Sequence, residues 1–324
     1  METSMAGFPG RRTSAFTRAR PILAGVLGLS LAACGGGGGG GGATPVTGVS
    51  PAPAPAPAPS PGIGPTLPVG VGDGSAYPAF ISASTIDASL GQSFIQAPSV
   101  TGPGISFNPG STDINAVAAF QTVQLRAADL AYQDGVVQTF QSSDNTFIAT
   151  LVRLDHVAFS SWARLIGGGA LQAGAAAGGI QTPGAQVPVS GTAEYQGVAS
   201  GVVATPATDA MFAGQATLTA NFGARTISGS ITNARSIDFY SAQERSFNSI
   251  ALNGSWTPGA SSYTGTATTG TSPGGPNAMP AGASGPMAGA FFGSGAGAAR
   301  ETGGTFSITS PGNGVVHGSF GGRR

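Results

Sequence analysis

The chain has 324 residues with 13 basic and 13 acidic side chains, and every basic residue is an arginine. Charged residues make up only 8% of the chain, and without residues 1–33 nine arginines stand against 12 acidic side chains, so we expect no basic patch and no nucleic-acid partner. The single cysteine excludes a disulfide within the chain, and 55 glycines are typical of short strands separated by many turns.

The first predicted element is a lipoprotein signal peptide over residues 1–33. Four arginines precede the apolar segment Pro21–Ala33, which is shorter than the roughly 20 residues of a membrane-spanning helix. The segment runs into the letters LAAC at residues 31–34, the form of a bacterial lipobox, in which the cysteine becomes the acylated N-terminus. We predict that Cys34 is lipidated, with palmitate among its acyl chains. An ordinary secretory signal with a chance cysteine is the alternative.

Residues 34–75 are predicted to be a disordered tether. Gly35–Gly42 is an unbroken glycine run whose reach as a flexible coil is roughly 15 Å. Prolines then alternate with alanines, and Pro51–Pro61 spans on the order of 34 Å as polyproline II. The flexible glycine run followed by the stiff proline-alanine segment would hold the folded part away from a membrane surface.

Residues 76–185 are predicted to form a smaller, mainly β handle domain. Apolar and polar residues alternate in strand-like segments at 123–125, 136–140, 146–154 and 156–165. The letters STD at residues 111–113 predict the cap of a short helix that reaches Ala119. The small, glycine-rich stretch Gly167–Gly179 is predicted to be a flexible joint to the next domain.

Residues 186–324 are predicted to form an eight-stranded antiparallel β-barrel, which makes the fold class all-β. Turn residues separate eight strand-like segments at 191–204, 211–222, 225–233, 247–255, 262–269, 286–293, 302–309 and 314–320. Pairing the first segment with the last removes both sheet edges, and side chains can fill a barrel of this size. The candidates for that filling are Phe291, Phe306, Ile308, Val316 and Phe320. The Thr269–Gly285 connection is predicted to be too rich in glycine and proline to preorganise a site.

Several short patterns in this region resemble the β-barrel domain of transferrin-binding protein B. Residues 191–197, GTAEYQG, resemble its G-x-A-x-Y-x-G opening, and residues 216–233, ATLTANFGARTISGSITN, resemble its hairpin around an F-G-x-x-T core. Later strands of the family are resembled, in the same order, by residues 263–267, 289–293, 301–306 and 318–323. The resemblance implies a single lobe that consists of a handle and a barrel of the lipoprotein type, which does not span the membrane.

The resemblance also implies a function: a non-catalytic binding protein that is lipid-anchored in the outer membrane, with a protein or a small solute as ligand. A lipoprotein-export partner in the outer membrane is implied as well. Gly35 favours this location, because it stands where many inner-membrane lipoproteins have aspartate. A structural envelope lipoprotein without a ligand is the alternative. An integral outer-membrane barrel is disfavoured by the lipobox, the tether and strands too rich in glycine and threonine for an outward apolar band.

No catalytic, metal or cofactor site is predicted, and we expect the chain not to be an enzyme. His156 and His317 are not spaced like metal ligands, and neither has a recognisable nucleophile and acid beside it, so both are predicted to be structural. Trp162 and Trp256 are predicted to pack in the core or at the barrel rim.

The segment Ala234–Ser246 is predicted to carry the ligand-binding residues, Arg235, Phe239, Tyr240 and Arg245. It concentrates charge and aromatic rings between two strand candidates, and such residues dominate binding energy at interfaces. In the rival interpretation, this is an ordinary hairpin loop whose two aromatic rings fold inward onto the barrel mouth.

Overall fold

The computed structural model describes residues 76–87, 92–107, 114–118, 121–134, 136–166 and 169–324. The predicted signal peptide, the lipidation site Cys34 and the tether lie outside the described residues. Within these ranges, no helix is long and apolar enough to cross a membrane. The described chain forms two nine-stranded sheets joined by turns, which confirms the all-β fold class.

The first sheet, which we call the handle sheet, is antiparallel throughout. Its strands are β1 (Ala76–Ile86), β2 (Gln92–Phe107), β3 (Ile114–Ala118), β4 (Gln121–Leu125), β5 (Leu130–Asp134), β6 (Val137–Gln141), β7 (Phe147–Arg153), β8 (Val157–Ile166) and β9 (Ala170–Gly179). They lie side by side in the order β4-β3-β2-β1-β9-β8-β7-β6-β5. The last strand along the chain, β9, is therefore the central strand of the sheet.

The handle sheet curls until its two edge strands are neighbours. The edges, β4 and β5, are joined by residues 126–129 alone, a link that spans at most about 19 Å in five Cα–Cα steps. Val123 and Leu125 from β4 accordingly share an apolar cluster with Phe140 from β6 and Trp162 from β8. The curled sheet encloses a core of its own, and the prediction that Trp162 packs in a core is confirmed.

The helix predicted after residues 111–113 is wrong. Ile114–Ala118 forms strand β3, which pairs with β2 on one side and with β4 on the other. Pairing on both sides supplies the backbone hydrogen bonds that a helix would have made, so tertiary context overrides the local capping signal.

The flexible joint predicted at Gly167–Gly179 is also wrong, because most of it is strand β9. Every residue of this strand from Ala173 to Gly179 is buried. Its small side chains let neighbours approach closely: a Cβ on Gly174 would lie 2.4 Å from the Trp162 ring. In this chain, a run of glycine and alanine marks a crowded central strand.

Eight strands of the second sheet close into an antiparallel barrel, as predicted. The strands of this sheet are β10 (Thr192–Ala204), β11 (Asp209–Asn221), β12 (Thr226–Asp238), β13 (Glu244–Ser246), β14 (Ile250–Ser255), β15 (Ser262–Thr269), β16 (Ser284–Phe292), β17 (Glu301–Ser310) and β18 (Gly314–Arg323). The closing contact pairs β10 with β18, from Gln196 opposite Arg323 to Ala204 opposite Val315. The short β13 lies beside β12 and is not part of the closed wall.

The barrel interior is filled by apolar side chains that alternate with outward-facing residues. All five predicted filling residues belong to this core: Phe291, Phe306, Ile308, Val316 and Phe320. Phe291 is surrounded by aromatic rings, with centroid distances of 5.0 Å to Trp256, 5.5 Å to Phe222 and 5.6 Å to Tyr263. Trp256 therefore packs in the core, as predicted.

The Thr269–Gly285 connection packs into the barrel and is held there by hydrogen bonds. Met279 is fully buried in the barrel core. Asn248 clamps the backbone of Met279: its Nδ2 donates to the carbonyl oxygen at 3.0 Å, and its Oδ1 accepts from the N–H at 2.9 Å. The Thr269 hydroxyl donates to the Pro280 carbonyl at 2.6 Å. These contacts fix the connection in spite of its glycine and proline content.

The handle sheet covers part of the outer wall of the barrel. Two apolar clusters join the two layers. One contains Phe80, Val152, Phe159, Val198 and Phe292 among its members. The other contains Ile86, Ile148, Ala163, Val202 and Val315. Two sheets packed face to face in this way bury side chains from both layers.

A strip of buried polar side chains lies between these two apolar clusters. On β1, β7, β8, β10 and β18, the residues between the clusters are polar, and we call them the polar strip: Ser82, Ser84, Thr150, Ser161, Ser200, His317 and Ser319. The Thr150 hydroxyl donates to Ser200 Oγ at 2.8 Å, and the Ser161 hydroxyl donates to the Ser200 carbonyl at 2.9 Å. Hydrogen bonds between the layers therefore offset the cost of burying these groups.

Candidate functional site

The predicted binding segment, Ala234–Ser246, is mostly strand. Strand β12 continues to Asp238, and β13 begins after a turn of only five residues, 239–243. The Asp238 carboxylate organises the turn by accepting from the N–H groups of Tyr240 and Ser241, at 2.8 Å and 2.7 Å. Burial by itself would raise the pKa of Asp238, but hydrogen bonds from Thr208 and from this turn lower it overall.

Phe239, one of the predicted ligand-binding residues, is buried and is therefore not accessible to a ligand from solvent. Its side chain is 2% exposed and belongs to the apolar cluster between the barrel wall and the handle sheet. Phe239 therefore packs outside the barrel wall and does not fold into the barrel mouth, contrary to the rival interpretation. Tyr240 is half-buried against the same cluster, and its hydroxyl donates to Asp209 Oδ2 at 2.9 Å. The handle sheet, which covers this part of the wall, is the physical reason for the difference.

The other two predicted site residues, Arg235 and Arg245, lie on the surface. Arg235 Nε is 3.8 Å from Glu244 Oε1, and the two side chains are 51% and 39% exposed. The Arg245 guanidinium donates to Gln243 Oε1. Exposed pairs of this kind contribute about 0–1 kcal/mol to stability. The structure thus leaves two arginines and part of one tyrosine available at this edge of the barrel.

A second candidate site is a cleft of about 440 Å³ in the handle sheet, which we call the handle cleft. Its walls come from β4, the turn after β4, the β6–β7 turn and β8. The lining residues that matter for its chemistry are Gln124, Arg126, Asp129, Asp144, Phe147 and Arg164. Clefts of roughly 300–1,000 Å³ are typical of sites for small molecules. The handle cleft is therefore large enough for a small solute.

Both signs of charge face the handle cleft. Arg164 lies over the Phe147 ring, with 5.2 Å from its guanidinium carbon to the ring centroid. Arg126 Nη2 donates to Gln124 Oε1 at 3.0 Å. Each guanidinium is positioned by a neutral neighbour, so its charge is not cancelled by that contact.

The Asp144 carboxylate is fixed by the β6–β7 turn. Its Oδ1 accepts from the Ser142 hydroxyl at 2.6 Å, from the Thr146 hydroxyl at 2.9 Å and from the Thr146 N–H at 3.1 Å. These hydrogen bonds, led by that from Ser142, lower the pKa of Asp144. Asp144 therefore remains negatively charged and keeps its position at the edge of the cleft.

The handle cleft could not be predicted from the sequence because its residues are far apart in the chain. Arg126 and Asp129 lie in the link between the two edge strands, whereas Asp144 and Arg164 belong to the opposite half of the sheet. Only the curl of the sheet brings them together. The one local signal was the polar run SSDNT at residues 142–146, which has the composition of a turn.

A buried carboxylate connects the barrel to the handle sheet. Glu301, at the start of β17, is 2% exposed and accepts from three successive N–H groups of the β7–β8 turn. These are the N–H groups of Asp155, His156 and Val157, at 2.9 Å, 2.7 Å and 3.0 Å. Burial raises the pKa of Glu301, and the bonds from His156 and Asp155 oppose that increase. The arrangement is a concave backbone anion site occupied by the protein's own side chain.

His317 is the only titratable side chain in the polar strip. Its Nδ1 and Nε2 each lie 2.7 Å from a serine hydroxyl of β1, those of Ser82 and Ser84. Burial lowers the pKa of His317 to about 3, so the ring is neutral at physiological pH. One ring nitrogen then donates and the other accepts. The structure thus places His317 in a structural contact, as predicted.

Among the described residues, no group of three or more histidine, cysteine, aspartate or glutamate side chains could hold a metal ion. The polar side chains of the polar strip are engaged in internal hydrogen bonds. The surface edge near Arg235 and the handle cleft are two candidate sites among the residues that the structure describes.

The geometry of the barrel agrees with a comparison against known families. Residues 187–324 match the family model described as the C-lobe and N-lobe beta barrels of Tf-binding protein B. Residues 187–324 are a transferrin-binding protein B-like barrel domain. The resemblance seen in the sequence patterns is thereby confirmed for this part of the chain. No curated protein matches the sequence.

Several solved structures are similar to this chain. A mutant of Transferrin Binding Protein B from Haemophilus parasuis Hp5 has 17% sequence identity and a TM-score of 0.47, over 75% of this chain and 45% of that one. The isotype 1 protein from serogroup B Neisseria meningitidis has 17% identity and a TM-score of 0.45, over 76% and 43%. A surface lipoprotein has 12% identity and a TM-score of 0.38, over 75% and 98%. This chain thus spans less than half of the first two relatives.

Proposed function

We propose that this chain is a lipid-anchored surface protein of the outer membrane that binds a protein or a small solute and catalyses no reaction. The observation that carries the proposal is a transferrin-binding protein B-like barrel domain downstream of a lipobox and a long tether. In the proposal, Cys34 carries the acyl chains, and residues 34–75 hold the folded lobe away from the membrane. Two or more acyl chains are enough for stable anchoring.

A protein ligand is supported by the names of the matched family and of the similar structures, which describe proteins that bind transferrin. In the proposal, such a partner contacts Arg235, Tyr240 and Arg245, while the buried Phe239 supports this edge from below. A partner that exports lipoproteins to the surface belongs to the same proposal. Transferrin is one candidate ligand among proteins, since this chain spans less than half of those relatives.

The anchoring is tested in the bacterium that encodes the protein, with labelled palmitate, membrane fractionation and protease treatment of intact cells. We expect the wild-type chain to be labelled, to fractionate with the outer membrane and to be cut by external protease. Cys34→Ser should lose the label and the membrane association, because the thiol is the acylation site. Thr44→Ala, a substitution in the tether, is the matched control and should behave as wild type. A mature protein without lipid, or a label that survives Cys34→Ser, would refute the proposal.

A further inference from the structure

The handle cleft brings together four charged side chains in a chain with few charges. Charged residues make up 8% of the sequence, yet two arginines and two aspartates line this one cleft. They come from three parts of the handle sheet: the link after β4, the β6–β7 turn and β8. In the part of the chain that the structure describes, Arg126, Asp129, Asp144 and Arg164 form no ion pair with one another or with other residues.

The four charges do not neutralise each other, although they line the same cleft. The two guanidinium groups contact neutral partners, Gln124 and the Phe147 ring. The Asp144 carboxylate is turned into its own loop by three hydrogen bonds to Oδ1. The Asp129 carboxylate makes no hydrogen bond within the described ranges, so it is the acceptor still available to a ligand. The cleft therefore presents two guanidinium groups and a separate carboxylate to one ligand.

We propose that the handle cleft binds a small zwitterion of amino-acid or dipeptide size. The ligand carboxylate is bound by Arg126 and Arg164, and its ammonium group is bound by Asp129. Guanidinium groups are the preferred partners of carboxylates, because their N–H donors match the two oxygens. The inference rests on the proposed binding function and names a ligand class for it.

The balance of charge selects the zwitterion over simpler ions. A ligand with only negative charge would lie beside two aspartates, and a ligand with only positive charge would lie beside two arginines. A zwitterion places each of its charges against the opposite sign, which lowers the energy of both ends. Arg164 is held over the Phe147 ring, so little of its side-chain freedom remains to be lost on binding.

The test uses the acylated mature chain in detergent micelles. Saturation-transfer NMR with alanyl-alanine and the twenty free L-amino acids identifies binders, and calorimetry measures their affinity. We expect saturable binding with one site per chain. N-acetylation of a bound zwitterion removes the ammonium charge, and amidation removes the carboxylate. Each change should weaken binding at least tenfold.

Three variants test which charged side chains of the handle cleft contact the ligand. Arg126→Gln and Asp129→Asn should each weaken binding at least tenfold without altering the melting temperature, because Arg126 is exposed and Asp129 makes no hydrogen bond through its carboxylate. Arg225→Gln, at an exposed arginine of the barrel, is the matched control and should bind as wild type. Arg164→Gln is expected to follow Arg126→Gln. Its folding is checked by circular dichroism, and the other two variants decide the question if it does not fold.

Three results would overturn the inference: no binding of any probe at 10 mM (a concentration on the order of a very weak site), equal binding of the capped derivatives, or unchanged affinity in Arg126→Gln and Asp129→Asn. None of these results bears on palmitate incorporation at Cys34. If the protein is acylated but binds none of the probes, the zwitterion site is refuted and the proposed anchoring is not affected.

Discussion

The barrel interior and the interface between the barrel and the handle sheet are both buried, but their chemistry differs. Phe291 and the rings around it make the interior a continuous apolar core. The interface instead alternates: an apolar cluster, the polar strip, and a second apolar cluster. An apolar core can be packed by different sets of side chains of similar total volume. Buried hydrogen bonds between two sheets, in contrast, form only when the two sheets are correctly aligned. We therefore expect the interior to provide most of the stability, and the interface to fix how the two sheets sit on each other.

The largest effect is expected inside the barrel. Phe291→Ala removes a ring packed against Trp256, Phe222 and Tyr263 and should lower the free energy of unfolding by about 3–5 kcal/mol. Urea unfolding followed by circular dichroism measures the loss. Val189→Ala, at a side chain that is 86% exposed, is the control and should stay within about 0.5 kcal/mol. A loss below about 1 kcal/mol in Phe291→Ala would mean that the interior is not the main source of stability.

A smaller loss is expected at the contact between Glu301 and the β7–β8 turn. Glu301→Gln replaces one of two acceptor oxygens with an NH₂ group that faces backbone N–H donors. At least one of these three N–H groups then has no acceptor, which should cost about 1–3 kcal/mol. Glu194→Gln, at an exposed glutamate, should have almost no effect. Equal stability of Glu301→Gln and wild type would show that this contact does not hold the layers together.

The free energy of unfolding should depend on pH because the pKa of His317 differs between the folded and the unfolded chain. Its folded pKa is about 3 and its ordinary value is 6.5, so only the unfolded chain binds this proton between those limits. The contribution of His317 to the free energy of unfolding is therefore fully present above pH 6.5. It is lost as the pH falls toward 3, by at most about 1.4 kcal/mol per pH unit. Glu301, whose pKa burial raises, contributes with the opposite sign above its ordinary value of 4.5.

The His317 contribution is isolated by comparing wild type with His317→Gln, since Glu301 is common to both. The difference in unfolding free energy between the two proteins should grow steadily from pH 4 to pH 6.5, and it should be flat above pH 7. Val189→Ala, at a non-titratable side chain that is 86% exposed, is the control and should keep the wild-type slope in this range. A His317→Gln protein with the same slope as wild type would rule out His317 as the titrating group.

Most of the barrel could be predicted from the sequence alone, whereas its interface with the handle sheet could not. Alternation along each strand predicted the barrel, its closing pair and five of its core residues, because the interior of a barrel is a local property of every strand. The sequence also suggested Phe239 as a ligand-binding residue, because alternation marks which face of a strand is buried in the barrel but says nothing about the other face. It could not show that the handle sheet covers that face, since covering depends on contacts between distant segments.

The handle sheet was predicted less well for a related reason. Strand β9 is crowded on both sides, so it is built from alanine and glycine and lacks the alternation that marks a half-exposed strand. The handle cleft depends on the curl that joins β4 to β5. Its charged residues could be recognised as a site only once that curl was known.

The most direct test of this account uses the two tryptophans, Trp162 in the handle sheet and Trp256 in the barrel. Trp256→Phe leaves a fluorescent reporter only in the handle sheet, and Trp162→Phe leaves one only in the barrel. If the polar strip and its flanking clusters make one cooperative unit, each reporter should follow the same urea transition as the circular dichroism of the same protein. Unfolding of the handle sheet at lower urea, with the barrel still folded, would contradict the account.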